Sequence, residues 1–291
     1  MNPLLEDFNT APFSKISSTD YKPAIKKAID ICKKEIETII SNPETPSFKN
    51  TTEALEFTGQ KLGRITSIFF NLNSAETSEA IQKIAQEISP WLSEFKNDMI
   101  LNSALFKKVK SVYDIRKNLN LDPEQTMLLE KQYKGFSRNG ANLNDENKEK
   151  LRKIDTELSK LSLQFGENVL ADGNAFELHI THEKDLKGLP DGAKEAASLL
   201  AKNRNKEGWL ITLDYPSYIP FITYAENREL RKKLSIAFGR KGFQNNENNN
   251  EEIVLNIVNS RHQRANLLGY KTHAHFVLEE RMASNKIRQC L

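Results

Sequence analysis

The chain is poor in cysteine and has no long hydrophobic run. Its 291 residues include only two cysteines, Cys32 and Cys290, which are too few for a disulfide framework and argue against the disulfide-rich secreted class. No window approaches the roughly 18 apolar residues of a membrane-spanning helix. The first residues also lack the basic and then apolar pattern of a signal peptide. These absences predict a cytoplasmic location and no membrane partner.

An excess of one charge is missing as well. The chain carries 42 Lys and Arg residues against 39 Asp and Glu residues, for a formal net charge of +3. Small basic clusters, such as Lys131, Lys134 and Arg138, are explained adequately as solvated helix faces. The near balance argues against a nucleic-acid partner.

The common catalytic motifs are absent too. No H-E-x-x-H zinc motif occurs, because His182-Glu183 is followed by Lys-Asp-Leu. There is no G-x-S-x-G, no phosphate-binding P-loop and no G-x-G-x-x-G. The other histidines (His179, His262, His273 and His275) do not converge in the predicted elements, whereas a metal site needs three or four ligands. From the residues alone, we predict no catalytic, cofactor-binding or metal-ligating residue on this chain.

The strongest pattern that is present covers residues 144–171. Its apolar residues recur every three or four positions, which places them on one stripe of an α-helix: Leu151, Ile154, Leu158, Leu161, Phe165 and Val169. Asn144 is suited to cap the start of this helix, and Gly173 is suited to stop it. Because other helices must bury a stripe of this length, it predicts a large helical body.

The same periodicity predicts further helices. They begin near Pro23, Thr51 or Thr52, Ser78, Ser103 and Pro123, and later cover 193–201, 225–238, 251–268 and 273–283. Pro90 is expected to kink or split the third of them. Alternating apolar residues predict two strands, 176–181 and 209–213, that pair as a small sheet. The predicted fold class is therefore mainly α, with a two-stranded β element near 174–214.

Some of these side chains could serve either the core or a site. Cys32 lies in an apolar helical stripe, which favours a buried and inert thiol over a nucleophile. Cys290 is interpreted as an exposed bystander. Aromatic residues at helical spacing favour core packing over a ligand box: Phe69, Phe70, Phe95, Phe106, Phe136 and Phe165.

Specific strings carry more information than composition does. They are FFNLNSAET (69–77), EKQYKGFSRNGA (130–141), LSLQF (161–165), ENRELR (226–231), LLGYKTHA (267–274) and LEERMA (278–283). In this order they resemble the thimet oligopeptidase family of zinc metallopeptidases, in particular its bacterial branch of dipeptidyl carboxypeptidase and oligopeptidase A. The resemblance covers about residues 1–285.

The resemblance implies a zinc peptidase that cuts short peptides, built from two largely helical lobes beside a deep channel. In this family, the zinc is held by the two histidines of H-E-x-x-H and by a later glutamate. The glutamate of the motif acts as general base on zinc-bound water. The motif belongs to the second half of family members, beyond the last residue of this chain. No zinc ligand can therefore be carried onto a residue here, and no cofactor is expected on this chain.

We therefore expect residues 1–285 to form the N-terminal helical region of an oligopeptidase, followed by a tail at 286–291 that departs from the family pattern. An engineered truncation, a frameshift or a natural short product would explain such an ending. The leading hypothesis is the N-terminal part of a zinc-dependent oligopeptidase or peptidyl-dipeptidase, inactive without its missing C-terminal catalytic half. The alternative is a non-catalytic helical module that binds peptides or a partner.

Overall fold

The fold, described by a computed structural model for residues 2–282, is mainly α-helical with one small sheet, as predicted. In chain order the elements are α1 (Ser18–Ser41), α2 (Ala54–Glu56), α3 (Gln60–Ala75), α4 (Glu79–Ile100), α5 (Ser103–Asp114), α6 (Pro123–Arg138), α7 (Asp145–Ala175), β1 (Leu178–Ile180), α8 (Asp191–Asn203), β2 (Trp209–Ile211), α9 (Tyr215–Tyr224), α10 (Arg228–Gly239), α11 (Glu251–Leu267) and α12 (His273–Leu278). No helix within 2–282 is long and apolar enough to cross a membrane. The prediction for Cys290 and the tail at 286–291 lies outside the described residues.

The chain divides into two compact units. Among the described residues, the first contains 2–160 and 258–282, and the second contains Leu161–Ile257. Short 3-10 turns at Pro3–Leu5 and Phe13–Lys15 precede α1.

Helix α1 begins at Ser18, five residues before the predicted start at Pro23. The side chain of Asp20 accepts a hydrogen bond from the backbone N–H of Ser17 at 2.8 Å, and this bond satisfies one of the donors at the helix start. Pro23 lies inside the helix, so the prediction of a start at this proline was wrong. The predicted stripe is confirmed, because its members are all buried: Ile25, Ala28, Ile29, Cys32, Ile36 and Ile39.

The next helical segment starts at Phe48, not at a cap on Thr51 or Thr52. Ser47 and Asn50 bond reciprocally, with the Ser47 N–H donating to Asn50 Oδ1 at 2.8 Å and the Asn50 N–H donating to Ser47 Oγ at 3.2 Å. Residues Phe48–Glu53 form a π-helix that leads into α2. The two threonines lie inside this segment and are buried.

Proline and glycine interrupt the helices less than predicted. Helix α4 continues through Pro90 as one element. Asn144 caps α7 as predicted, with its Oδ1 accepting from the Asn147 N–H at 2.9 Å. The helix then passes the predicted stop at Gly173 and ends at Ala175. A glycine inside a helix costs only about 1 kcal/mol relative to alanine, so neighbouring contacts can outweigh it.

Most of the predicted core aromatics are buried. Phe69, Phe95, Phe106 and Phe136 are buried, and Phe70 is half-buried. The interpretation was wrong for Phe165 on α7, whose side chain is 39% exposed.

The second unit is built around the sheet. β1 and β2 pair antiparallel, with Leu178 opposite Ile211 and Ile180 opposite Trp209. The sheet belongs to an apolar core with residues from α8, α9 and α10. The strand pairing confirms the prediction. Helix α9 was missed, because Tyr215-Pro216 reads as a turn, whereas proline is well tolerated in the first turn of a helix.

Candidate functional site

The histidines have separate local partners. His179 Nε2 lies 2.6 Å from the carbonyl oxygen of Glu207, and His262 Nε2 lies 2.9 Å from the side-chain amide of Asn266. Within residues 2–282, no three His, Cys, Asp or Glu side chains converge as a possible metal site. The zinc that the resemblance implies does not fit this donor set.

The two histidines of α12 also differ in their surroundings. His275 Nδ1 pairs with Thr272 Oγ1 at 2.7 Å, at the start of the helix. Burial lowers the pKa of His273, and the charges of Arg261 and Arg264 lower it further. Both residues are therefore explained by local contacts.

Arg138, the last residue of α6, ties this helix to the segment around α12. Its Nε donates to Glu279 Oε2 at 2.6 Å and to Tyr270 Oη at 3.2 Å, and its Nη2 donates to the carbonyl oxygen of Phe276. The guanidinium carbon also lies 4.8 Å from the centre of the Phe276 ring, within the range of a cation–π contact. Only 18% of the Arg138 side chain is exposed.

Glu279 accepts a second hydrogen bond, from Tyr270 Oη at 2.7 Å. This bond lowers the pKa of Glu279, and the hydrogen bond from Arg138 lowers it further against the effect of burial. Burial acts to lower the pKa of Arg138, but its hydrogen bonds to Glu279 and Tyr270 raise it overall. Each group therefore stabilises the charged form of the other.

The neighbouring carboxylate, Glu280, meets two lysines of α6. Lys131 Nζ lies 2.6 Å from Glu280 Oε2, and Lys134 Nζ lies 3.5 Å from Glu280 Oε1. The hydrogen bond from Lys131 is the main reason that the pKa of Glu280 is lowered. We call the side chains of Lys131, Lys134, Arg138, Tyr270, Glu279 and Glu280 the Arg138 cluster.

Arg264 on α11 makes a second, more buried connection. Its Nε donates to Asp155 Oδ1 at 2.6 Å, and its Nη2 donates to Asn139 Oδ1 at 3.1 Å. The Arg264 and Asp155 side chains are only 14% and 19% exposed, so water screens this ion pair less than it screens a surface pair. Together with the Arg138 cluster, Arg264 fixes residues 264–280 onto α6 and α7 within the first unit.

In the second unit, a buried carboxylate holds the Asn-rich loop 242–250. Asp172 on α7 is 3% exposed, and its oxygens accept from the Gly242 N–H at 2.8 Å, Asn246 Nδ2 at 2.8 Å and Asn248 Nδ2 at 3.1 Å. Gln244 Nε2 adds a longer contact at 3.4 Å. Burial acts to raise the pKa of Asp172, but these hydrogen bonds outweigh burial and lower it.

The second unit also contains a largely apolar pocket of about 420 Å³. It lies among α8, β2 and the start of α9, and its lining includes Ala193, Ala197, Leu200, Leu210 and Ile211. Its polar lining residues are Thr212, Asp214 and Ser217 near β2 and the start of α9, and Asn203 at the end of α8. Such a composition is typical of small-ligand sites.

A more polar groove of about 640 Å³ lies between α4 and α7 in the first unit. Its main cation, Arg152, is paired within the groove, with Asp98 at 2.7 Å and with Glu149 at 3.4 Å. Lys33 also pairs with Asp98, at 3.1 Å. These ion pairs account for Arg152, Asp98 and Glu149, while Glu94, Lys153 and Glu157 add further charge to the groove.

Comparison with known proteins matches this chain to peptidases. A family model described as peptidase family M3 matches residues 221–288. The chain is 31% identical over 288 residues to oligopeptidase A of Salmonella typhimurium, and 32% identical over 289 residues to dipeptidyl carboxypeptidase of Escherichia coli. It is 29% identical over 266 residues to a thimet-like oligopeptidase of Dictyostelium discoideum.

The chain is a homologue of the M3 peptidases, as predicted. The alignments cover 98% of this chain with the Salmonella protein and 97% with the Escherichia coli protein, but 42% of each relative. The chain therefore spans about two fifths of the length of these M3 relatives.

Three of the strings that carry the M3 resemblance meet in the Arg138 cluster. The string at 130–141 supplies Lys131, Lys134 and Arg138, while those at 267–274 and 278–283 supply Tyr270, Glu279 and Glu280. These M3-like strings, far apart in sequence, pack against each other. Their role within residues 2–282 is to hold helices together.

Sequence reasoning missed both features of the second unit. The available signal for the Asp172 contacts was the Asn-rich composition of 242–250. Asp172 itself lies 70 positions before Gly242 in the sequence, so no local pattern connects the two. The pocket had a weaker signal, namely the alanines on one face of α8.

Proposed function

We propose that this chain forms the N-terminal part of a zinc-dependent oligopeptidase that cuts short peptides, and that it is inactive without a catalytic half. The observation that carries the proposal is the alignment of nearly the whole chain with peptidases of more than twice its length. The absence of H-E-x-x-H from the sequence supports inactivity of the chain alone.

The proposed role of this part is structural. The Arg138 cluster and Arg264 fix the segment 264–280 onto α6 and α7. In the proposed enzyme, ligands of the catalytic half would hold a zinc ion, which would supply Lewis-acid chemistry for peptide hydrolysis. A cytoplasmic location, supported by the low cysteine content, belongs to the same proposal.

The first test is hydrolysis of an internally quenched peptide by the purified chain, with and without added zinc. We expect no increase in fluorescence in either condition. Hydrolysis that a chelator removes, that co-purifies with the chain and that is accompanied by one zinc per chain would refute the claim of inactivity.

The second test is to sequence the DNA downstream of the codon for Asn285 and translate it in all frames. We expect an H-E-x-x-H motif within the stretch that the M3 relatives have beyond the part aligned with this chain. If no frame contains the motif, the peptidase proposal loses its catalytic half and the binding-module alternative takes precedence.

That alternative is a non-catalytic module that binds peptides, and the apolar pocket of the second unit supports it. Calorimetric titration with a mixture of short oligopeptides tests it. Absence of binding up to millimolar concentrations would count against this alternative and would leave the peptidase proposal unaffected.

A further inference from the structure

The pocket of the second unit has the size and lining of a site for one apolar side chain together with the adjoining backbone groups of a ligand. Its volume of about 420 Å³ falls within the range of roughly 300–1,000 Å³ that is usual for ligand sites. Ala197, Leu210 and Ile211 form part of its floor and belong to the buried interior. The floor is therefore rigid and apolar.

The space exists because α8 presents alanines to it. Ala193, Ala196 and Ala197 are spaced by three and four positions, so they lie on one face of the helix. Ala196 is exposed, and Leu199 at the rim is 60% exposed. A larger side chain at Ala196 would enter the pocket from the solvent side without disturbing the core.

The rim carries one carboxylate without a cation. Asp214 is exposed and accepts a hydrogen bond from Thr212 Oγ1 at 2.9 Å, which orients it. The ion pairs of this unit use other carboxylates, those of Glu177, Asp191 and Glu226. Among residues 2–282, no cationic side chain pairs with Asp214.

Further hydrogen-bonding groups stand beside this carboxylate. Ser217 Oγ accepts from the Thr212 N–H at 3.0 Å, so its hydroxyl hydrogen is available for another acceptor. Asn203 lines the pocket from α8 and carries both a donor and an acceptor. The pocket thus combines an apolar floor with an anionic rim and neutral polar groups.

We propose that this pocket binds the N-terminal residue of a peptide when that residue is large and apolar. The α-ammonium group pairs with Asp214, the side chain enters the space beside Ala193 and Ala197, and the first peptide group lies near Ser217. Charge complementarity selects the free amine, and the apolar floor selects the side chain. The inference gives a ligand class for the binding-module alternative and does not depend on peptidase activity.

The test is a titration followed by NMR of the full chain, with L-leucinamide as the probe. Leucinamide carries the ammonium group and the apolar side chain but no carboxylate. N-acetyl-leucinamide removes the charge, and glycinamide removes the side chain. We expect saturable shifts for residues of α8, β2 and the start of α9 with leucinamide, and affinities lower by at least about threefold with both controls.

Three variants locate the site. Asp214→Asn keeps an acceptor for Thr212 but removes the charge, and we expect it to weaken leucinamide binding by about three- to fivefold. Ala196→Leu places a larger side chain at the solvent side of the pocket and should weaken leucinamide binding. Glu195→Gln changes a neighbouring exposed charge of α8 that does not line the pocket, so its affinity should equal that of the wild type.

Equal binding of leucinamide and N-acetyl-leucinamide, or unchanged affinity in both Asp214→Asn and Ala196→Leu, would overturn the proposal. So would an absence of shifts at about 50 mM leucinamide, which is far above the concentrations expected of a specific site. Circular dichroism of each variant confirms that it is folded before titration. None of these outcomes bears on catalysis, so failure here is distinguishable from failure of the peptidase proposal.

Discussion

Replacing Arg138 with alanine should detach the segment around α12 from α6. The change removes the hydrogen bonds to Glu279 and Tyr270, and it leaves the Phe276 carbonyl without its donor. A hydrogen bond to a charged group contributes about 1.5–3 kcal/mol, and partial exposure of the site favours the lower end. We therefore expect a loss of about 2–4 kcal/mol in the stability of this segment, with Arg138→Lys losing about half as much because it keeps the charge.

Hydrogen exchange measures this loss at the segment itself. The Tyr270 N–H donates to the Ala265 carbonyl at 2.9 Å, and the Arg281 N–H donates to the Leu278 carbonyl at 3.1 Å, so both amides report on local opening. A loss of about 2 kcal/mol corresponds to roughly 30-fold faster exchange. Arg116→Ala is the matched control, because the hydrogen bond and the cation–π contact of the Arg116 side chain are made to the nearby Tyr113, away from the segment around α12.

The reasoning fails if Arg138→Ala exchanges at these amides within about twofold of the wild-type rate, or if Arg116→Ala has the same effect there. A double mutant with Glu279→Gln adds a second check. If Arg138 and Glu279 act through their direct bond, the two losses should be non-additive by about 0.5–3 kcal/mol. Full additivity would show that the bond at 2.6 Å contributes little.

Three further predictions concern other sites. Because the folded pKa of Asp172 is lowered, its contribution to stability is present above the unfolded value of about 3.9 and is lost as the pH falls through the folded value. Protection of the amides in 242–250, relative to their intrinsic exchange rate at the same pH, should therefore fall below about pH 4, and Asp172→Asn should remove this acid dependence. Gly208→Ala should destabilise the second unit by about 1–3 kcal/mol in urea unfolding, because Gly208 has a φ of +87° and an added Cβ would lie 2.4 Å from a carbonyl oxygen of β1. Gly192→Ala on α8 is the control: an added Cβ there would contact no neighbouring atom, so this change should be neutral or stabilising. Burial raises the pKa of Cys32 to about 11, so a thiol reagent at pH 8 should label it only at the rate of unfolding; rapid labelling of the native chain at this residue would contradict the inert interpretation.

Sequence reasoning succeeded where the signal is local. Asn144 caps α7 as predicted. The predicted helix start near Pro123 is also confirmed, with Asp122 just before it and Asp122 Oδ1 accepting from the Gln125 N–H at 2.8 Å. The strands were also recognisable, because alternation of apolar and polar residues spans only a few positions. These features are fixed by neighbours in the chain, so one sequence suffices to find them.

The errors arose where distant contacts outweigh local preference. Pro23 suggested a helix start and Pro90 a kink or a split, yet Pro23 lies inside α1 and α4 continues through Pro90 without a split, and both helices have buried apolar faces. Gly173 suggested a stop, but the adjacent Asp172 is held by the loop 242–250. The pocket depends on how α8 packs beside β2, which no local pattern reports. Helix α8, which forms one wall of the pocket, was therefore predictable from the sequence, whereas the pocket itself was not.

The contacts of Asp172 make the second unit sensitive to asparagine deamidation. Two of its donors are asparagine side chains, Asn246 and Asn248, at 2.8 and 3.1 Å. Deamidation of either would convert a donor into a second carboxylate beside a buried one, and two carboxylates at this distance cannot both remain ionised without a large cost. A single hydrolysed amide would therefore release the loop 242–250 without any change in the encoded sequence, and storage time would become a variable in measurements on this unit.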